Sequence, residues 1–154
     1  MNYVSDYYDK FYAQHKDEFF KRCTFVCDPD GKPVATCFIW RSYGKINTVS
    51  WFRTLPDYEG RGLGRALLGK VMKDTDYPIY VHTHPTGARA VKLYYDFGFK
   101  LITDPVVGYR KNNLAESLPI LKNFLPETDY SKLHTVKADV AFLEAVLTNE
   151  DAEF

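Results

Sequence analysis

Residues 46–73 constrain the fold of this chain more than any other stretch. Ile46 to Thr54 is an apolar, β-prone run, INTVSWFRT, and Gly62 to Lys73 reads as a helix. Between them lies Pro56-Asp57-Tyr58-Glu59-Gly60-Arg61-Gly62-Leu63-Gly64-Arg65, with three glycines at alternate positions and arginines between and after them. Pro56 has no N–H and ends strand pairing. Glycine lacks a Cβ, so another molecule can approach the backbone closely. A helix that begins at such a junction presents unpaired N–H groups and the positive end of its dipole. Strand, glycine turn and helix start together suit an anion such as a pyrophosphate. The motif is not a P-loop, because no Gly-Lys-Ser/Thr follows, and it is not a dinucleotide fingerprint, because Arg65 stands where the last glycine belongs. A tight strand–helix turn with no ligand is the competing reading.

The flanking sequence places this junction in a mixed α/β domain. Asp6 to Arg22 carries Tyr7, Tyr8, Phe11, Tyr12, Phe19 and Phe20 at helical spacing, with a break near His15 and with Ser5 or Asp6 as cap. Thr24–Cys27 and Val34–Arg41 read as a β-hairpin around the turn Asp28-Pro29-Asp30-Gly31. Ser42-Tyr43-Gly44-Lys45 turns the chain into the third strand, so three antiparallel strands come first. Leu63, Ala66, Leu67, Val71 and Met72 stripe the glycine helix. Ile79 to Thr83 is a further strand, parallel to the third by the helical crossover. Next comes a helix capped by Thr86, with Ala90, Leu93, Tyr94 and Phe97 on one side and Gly98 ending it. Phe99–Thr103 and Val107–Arg110 read as strands. Leu114 to Leu125 reads as a helix interrupted at Pro119, and Leu133, Val136, Val140, Leu143 and Leu147 mark a last helix. The acidic tail, residues 149–154, is expected to fray.

Composition excludes several classes. Twenty basic and twenty acidic residues balance, so no global field draws nucleic acid or an acidic membrane. Aromatics at 16% are high enough to expect a core and a cleft walled by rings. Cys23, Cys27 and Cys37 cannot all pair, form no C-x-x-C and have no zinc-finger histidines, so they read as small buried hydrophobes in a reducing compartment. No metal site is expected. No run has membrane-spanning length and the first residues do not form a signal peptide, which leads to the expectation of a cytoplasmic protein.

Two stretches resemble the GNAT superfamily of N-acetyltransferases. Pro56 to Leu68 looks like its acetyl-CoA motif, Gln/Arg-x-x-Gly-x-Gly/Ala. Ala90-Val91-Lys92-Leu93-Tyr94-Tyr95-Asp96-Phe97-Gly98-Phe99 looks like its late helix, closed by Gly-Phe. The similarity covers Thr24 to Lys111. It implies a mixed, splayed sheet with a parallel pair of strands at the cofactor cleft. It also implies acetyl-CoA as co-substrate, its pyrophosphate on backbone N–H groups of Gly60, Arg61, Gly62, Leu63, Gly64 and Arg65 and its pantetheine along Arg53, Thr54 and Leu55. Glu59 stands where Gln or Arg is usual, and Gly87, near Ala90 on the cofactor side of the late helix, stands where Asn is frequent. On this reading residues 1–112 form the acetyltransferase domain, with its first strand and helix shortened or missing, and 113–154 a helical extension packed on it. That vacancy would be filled by the extension or by a partner chain, as in a homodimer.

The resemblance matches Tyr94 to the tyrosine that protonates the leaving thiolate. A phenol with a reference pKa of about 10 can donate at neutral pH, and a core aromatic is the alternative. His82 and His84, two apart at a strand end, are base candidates because imidazole titrates near neutrality, and a structural histidine beside Pro85 is the alternative. The third strand has no acidic residue, and Glu18 is a weaker base. The expected activity is direct acetyl transfer to an amine on a small molecule or peptide. A GNAT-like acyl-CoA-binding module without turnover is the second reading.

Overall fold

The computed structural model describes residues 3–147, so the expected frayed tail lies outside the described residues. The chain is mixed α/β and its described residues divide into two compact units, one built from 3–42 and 47–79, the other from 80–147 with the turn at 43–46.

The first unit opens with helix α1 (Tyr3–Phe11), a 3-10 turn (Ala13–His15) and helix α2 (Lys16–Arg22). The break falls where expected, at His15, but Ser5 and Asp6 lie inside the first turn of α1 rather than capping it. No strand precedes these helices among the described residues. Acidic Asp17 and Glu18 begin α2 and basic Lys21 and Arg22 end it, matching the helix dipole. Glu18 is taken up by Arg22 one turn on, at 2.7 Å.

Strands β1 (Thr24–Cys27) and β2 (Pro33–Ser42) pair antiparallel, with Thr24 opposite Cys37. Their turn is held by Asp28, whose Oδ1 accepts from the N–H groups of Asp30 and Lys32. Strand β3 (Ile46–Thr54) and the short β4 (Ile79–Tyr80) complete the sheet order β1-β2-β3-β4. β2 is buried almost throughout, which its unbroken run Val34-Ala35-Thr36-Cys37-Phe38-Ile39-Trp40 demands. Phe38 and Trp40 join Tyr12 and Phe19 in a core that also gathers Tyr7, Tyr8, Phe11 and Trp51. Tyr12 is its hub, with ring centroids 4.8 Å from Phe19, 4.9 Å from Trp40 and 5.4 Å from Trp51. The aromatic surplus is spent here, in a core. Helix α3 (Leu63–Lys73) packs on β1 and β2 and buries Leu67, Leu68 and Met72; Ala66, expected on that stripe, is exposed.

The second unit is more helical. Helix α4 (Ala88–Asp96) ends in a Schellman motif: Gly98, at φ +88°, donates to Tyr95 O and Phe99 donates to Tyr94 O. Its fully buried positions are Ala88, Val91 and Tyr94, a different register from the expected Ala90, Leu93, Tyr94 and Phe97. Its cap is Gly87, not Thr86. Helix α5 (Leu114–Phe124) runs through Pro119 without interruption, and its Leu121 packs with Leu125, Ala88 and Val91.

The strand expected over Phe99–Thr103 shortens to β5 (Leu101–Ile102), and the one expected over Val107–Arg110 is split by a turn at Gly108, φ +61°, into β6 (Val106–Val107) and β7 (Arg110–Lys111), which pair as a hairpin. The long last helix does not form. A short helix α6 (Glu127–Tyr130) is followed by strand β8 (Thr135–Val136), parallel to β5, and only then by helix α7 (Val140–Val146). Leu133 and Val136 fit helical spacing, but β-branched Thr135 and Val136 find an open edge at β5. Asp104 then accepts from Ala138 N–H at 2.6 Å, and Asp139 caps α7.

Replacing Tyr12 by Ala should lower unfolding stability by about 3–5 kcal/mol, the range for large buried aromatics. Urea unfolding followed by tryptophan fluorescence measures it, and a loss under about 1 kcal/mol would contradict the hub role.

Candidate active site

The glycine junction lies wholly in the first unit. After β3 the chain makes a 3-10 turn, Pro56–Tyr58, and Glu59, exposed and extended, leads into the glycines. The three glycines answer two different demands. Gly60 and Gly62 have φ of +73° and +78°, a left-handed backbone that costs other residues about 1–2 kcal/mol, and a Cβ on either would meet nothing within 4 Å. Gly64 has an ordinary φ, but its Cβ would come within 3.2 Å of the Phe52 ring and 3.7 Å of Thr54 Oγ1. The first pair shapes the turn, and the third lets α3 lie close on the end of β3.

Gly62 is the N-cap of α3 and supplies no side-chain cap. The N–H of Ala66 donates to Gly62 O at 3.0 Å, the first turn of α3. The N–H groups that precede it in a helix have no carbonyl within the helix to bond, so the start of α3 presents them beside the open side of Gly60 and Gly62. That arrangement fits an oxyanion such as a pyrophosphate.

Arg61 turns the other way. Its Nη2 donates to Asp57 O at 2.8 Å and its guanidinium lies 5.0 Å from the centre of the Tyr58 ring. Tyr58 in turn donates its hydroxyl to Asp28 Oδ2 at 3.1 Å. This bond raises the Tyr58 hydroxyl pKa, while the Lys32 and Asp30 N–H groups and Tyr58 hold the Asp28 carboxyl below its usual range. Arg61, Tyr58 and Asp28 thus tie the glycine turn to the β1–β2 hairpin. Of the two arginines, Arg61 serves the loop through its side chain.

The strand end expected to receive pantetheine is only partly available. Leu55 donates its N–H to Val34 O at 2.8 Å, and its own carbonyl accepts from Tyr58 N. Leu55 faces β2, so the backbone groups of Thr54, one residue earlier, face the opposite edge of the strand. Arg53 is exposed. One feature of this strand was invisible in the sequence: Trp51 sits at φ +47° in mid-strand. A bulky residue rarely adopts that conformation, and it persists where packing over-determines it. Here the indole lies 5.3 Å from the Phe19 ring and 5.4 Å from the Tyr12 ring, so the aromatic core holds this conformation just before residues 52–55.

The remaining expected residues belong to the second unit. The strand expected over 79–83 ends at Tyr80, so His82 and His84 lie in a loop and the shared-face argument does not apply. His84 builds the turn before α4: its Nδ1 is 3.1 Å from Thr86 Oγ1 and its carbonyl accepts from Gly87 N–H. A Cβ on Gly87 would meet that carbonyl at 3.2 Å, which accounts for glycine there in place of asparagine. His82 Nδ1 lies 2.7 Å from Nη1 of Arg110, a residue the sequence did not single out. A guanidinium only donates, so Nδ1 accepts and the neutral ring carries its proton on Nε2. Tyr94 is buried, with its ring 5.5 Å from Phe99, and Ala90 is half-buried on the same helix.

Among the described residues no three His, Cys, Asp or Glu side chains converge to hold a metal ion, and no helix is long and apolar enough to cross a membrane.

Burial, then the charge of Arg110, then His84 lower the His82 pKa from its ordinary 6.5. The unfolded chain therefore binds the proton first as pH falls. The neutral ring favours the fold fully above 6.5, and that contribution fades as pH drops below it. A proton NMR titration of the His82 ring should show a midpoint under 6.5, and a midpoint at or above 6.5 would contradict this packing.

Comparison with protein families matches residues 2–99, well over half of the chain, to the Acetyltransferase (GNAT) family. The match begins before Thr24, so it takes in α1 and α2 as well as the sheet, the glycine junction and α4. No curated protein and no solved structure gives a match. With the glycine junction, the late helix and this match in agreement, the chain belongs to the GNAT family of acetyltransferases.

Proposed function

We propose that this protein is a cytoplasmic N-acetyltransferase that moves the acetyl group of acetyl-CoA directly to an amine on a small molecule or peptide. The observation that carries this reading is the α3 N-terminus, whose N-cap Gly62 has no side chain and which left-handed Gly60 and Gly62 open. The N–H groups of Leu63, Gly64 and Arg65 would hold the pyrophosphate, and Thr54, rather than Leu55, would pair with the pantetheine. Acetyl-CoA supplies the activated acyl group as a thioester.

The chain's own part is to orient and to move protons. The Tyr94 hydroxyl serves as the acid that protonates the leaving thiolate. His82 already accepts a hydrogen bond at Nδ1, so the acceptor amine gives its proton to water rather than to this ring. His84 is committed to its turn. Direct transfer is favoured over an acetyl-enzyme at Cys37 or Cys23, because Cys37 is fully buried and burial pushes its thiol up to about 12, and burial raises Cys23 as well; Cys27, expected to be buried, is exposed at the end of β1. A thiol so protonated is a poor nucleophile. The exposed carboxylate of Glu59 and the glycine at 87 favour the second reading, an acyl-CoA-binding module without turnover.

Release of CoA from acetyl-CoA against a panel of amines separates the two. Turnover is expected, and Tyr94→Phe should lower kcat by about 10²-fold, the lower end of general acid catalysis, with little change in the KM for acetyl-CoA. Binding without turnover on any amine would favour the second reading, and an unchanged kcat would remove Tyr94 from the mechanism.

A further inference from the structure

Glycine populates left- and right-handed backbone about equally, so Gly60 and Gly62 permit the turn before α3 without selecting it. The selection has to come from their neighbours. The stretch before the glycines is fastened twice to the β1–β2 hairpin. Leu55 donates its N–H to Val34 O at 2.8 Å, and the Tyr58 hydroxyl donates to Asp28 Oδ2 at 3.1 Å across 30 positions of sequence. Asp28 is itself fixed in its turn. Its N–H donates to Lys32 O, its carbonyl accepts from Gly31 N–H, and its Oδ1 accepts from the N–H groups of Asp30 and Lys32. The carboxylate therefore meets Tyr58 from a set direction, and its charge strengthens the bond. On the other side of Tyr58, Arg61 Nη2 donates to Asp57 O at 2.8 Å and closes a loop over Tyr58, Glu59 and Gly60. The same guanidinium lies over the Tyr58 ring. The first left-handed glycine thus sits inside a closure built on Tyr58, and the second follows two residues later.

We infer that Asp28 is a positioning residue for the cofactor cradle: through the Tyr58 hydroxyl and the Arg61 closure it selects the left-handed turn at Gly60 and Gly62 before CoA arrives. This role rests on the acetyl-CoA reading above. A cradle that is assembled in only a fraction of the molecules binds its ligand more weakly by that fraction. Ordering the turn in advance removes that loss. Arg61 acts here as a brace, because its side chain is directed to Asp57 O and the Tyr58 ring. Asp28, Tyr58 and Arg61 all belong to the first unit, as do the glycines they brace.

The test is calorimetric titration of the full chain with CoA, beside CoA release from acetyl-CoA, on Tyr58→Phe, Asp28→Ser and the double variant. Tyr58→Phe keeps the ring under Arg61, every positive charge and every backbone N–H of the turn, and removes one hydroxyl. Asp28→Ser keeps an oxygen for the N–H groups of Asp30 and Lys32 and lacks the one that meets Tyr58. Each variant should raise the Kd for CoA about 3- to 10-fold, the effect of one hydrogen bond, and the loss should appear in the KM for acetyl-CoA rather than in kcat. The double variant should bind CoA no more weakly than the weaker single one, because both changes remove the same bond. In the CoA-free protein the Gly60 and Gly62 amide resonances should already shift in each variant. A Kd unmoved by Tyr58→Phe, losses that add in the double variant, or unmoved glycine resonances would overturn the role of Asp28 while leaving the cradle in place. A wild type that binds no CoA would instead remove the cofactor reading, and this role with it.

Discussion

The candidate site depends on a backbone that can turn left-handed twice within three residues. Gly60 and Gly62 take positive φ, and this converts the end of β3 into the start of α3 with a glycine at the N-cap. Gly64 adds a separate condition, because only a missing Cβ lets α3 settle against Phe52 and Thr54. The turn is held from outside by the chain Arg61–Tyr58–Asp28, which reaches the β1–β2 hairpin. Any side chain at 60 or 62 meets backbone strain, and any at 64 meets a ring.

A second constraint sits within β3 itself. Trp51 adopts a backbone conformation that is costly for a large residue, and the aromatic core around Tyr12 offsets the cost. The rings that make this chain rich in aromatics thus shape the strand next to the glycine turn. Packing in the core and geometry at the site are linked through one residue.

Local chemistry made much of this legible. The β1–β2 turn was readable because Asp28, Pro29 and Gly31 have fixed roles there, and the Gly98 cap because only glycine suits its φ. The glycine junction, α3 and α4 followed from spacing and from the family's motifs. Features made by distant partners were not legible. β8 exists because β5 offers an edge, the Trp51 kink because the Tyr12, Phe19 and Phe38 rings trap the indole, and the His82–Arg110 pair because the fold brings together residues 28 positions apart. Leu133 and Val136 show the hazard most plainly, since helical spacing described them and strand pairing decided the chain around them. His82 and His84 were read as a pair on a strand, and the end of β4 at Tyr80 gave them separate tasks.

The central claim is that the α3 N-terminus binds the pyrophosphate of CoA. Titrating ¹⁵N-labelled protein with CoA, with Gly62→Asp as control, tests it at the atoms concerned. The claim predicts the largest amide shifts at Leu63, Gly64, Arg65 and Thr54, and their loss in Gly62→Asp while that variant keeps its fold at a cost of about 1–2 kcal/mol. Shifts centred elsewhere, or the same shifts in Gly62→Asp, would contradict it.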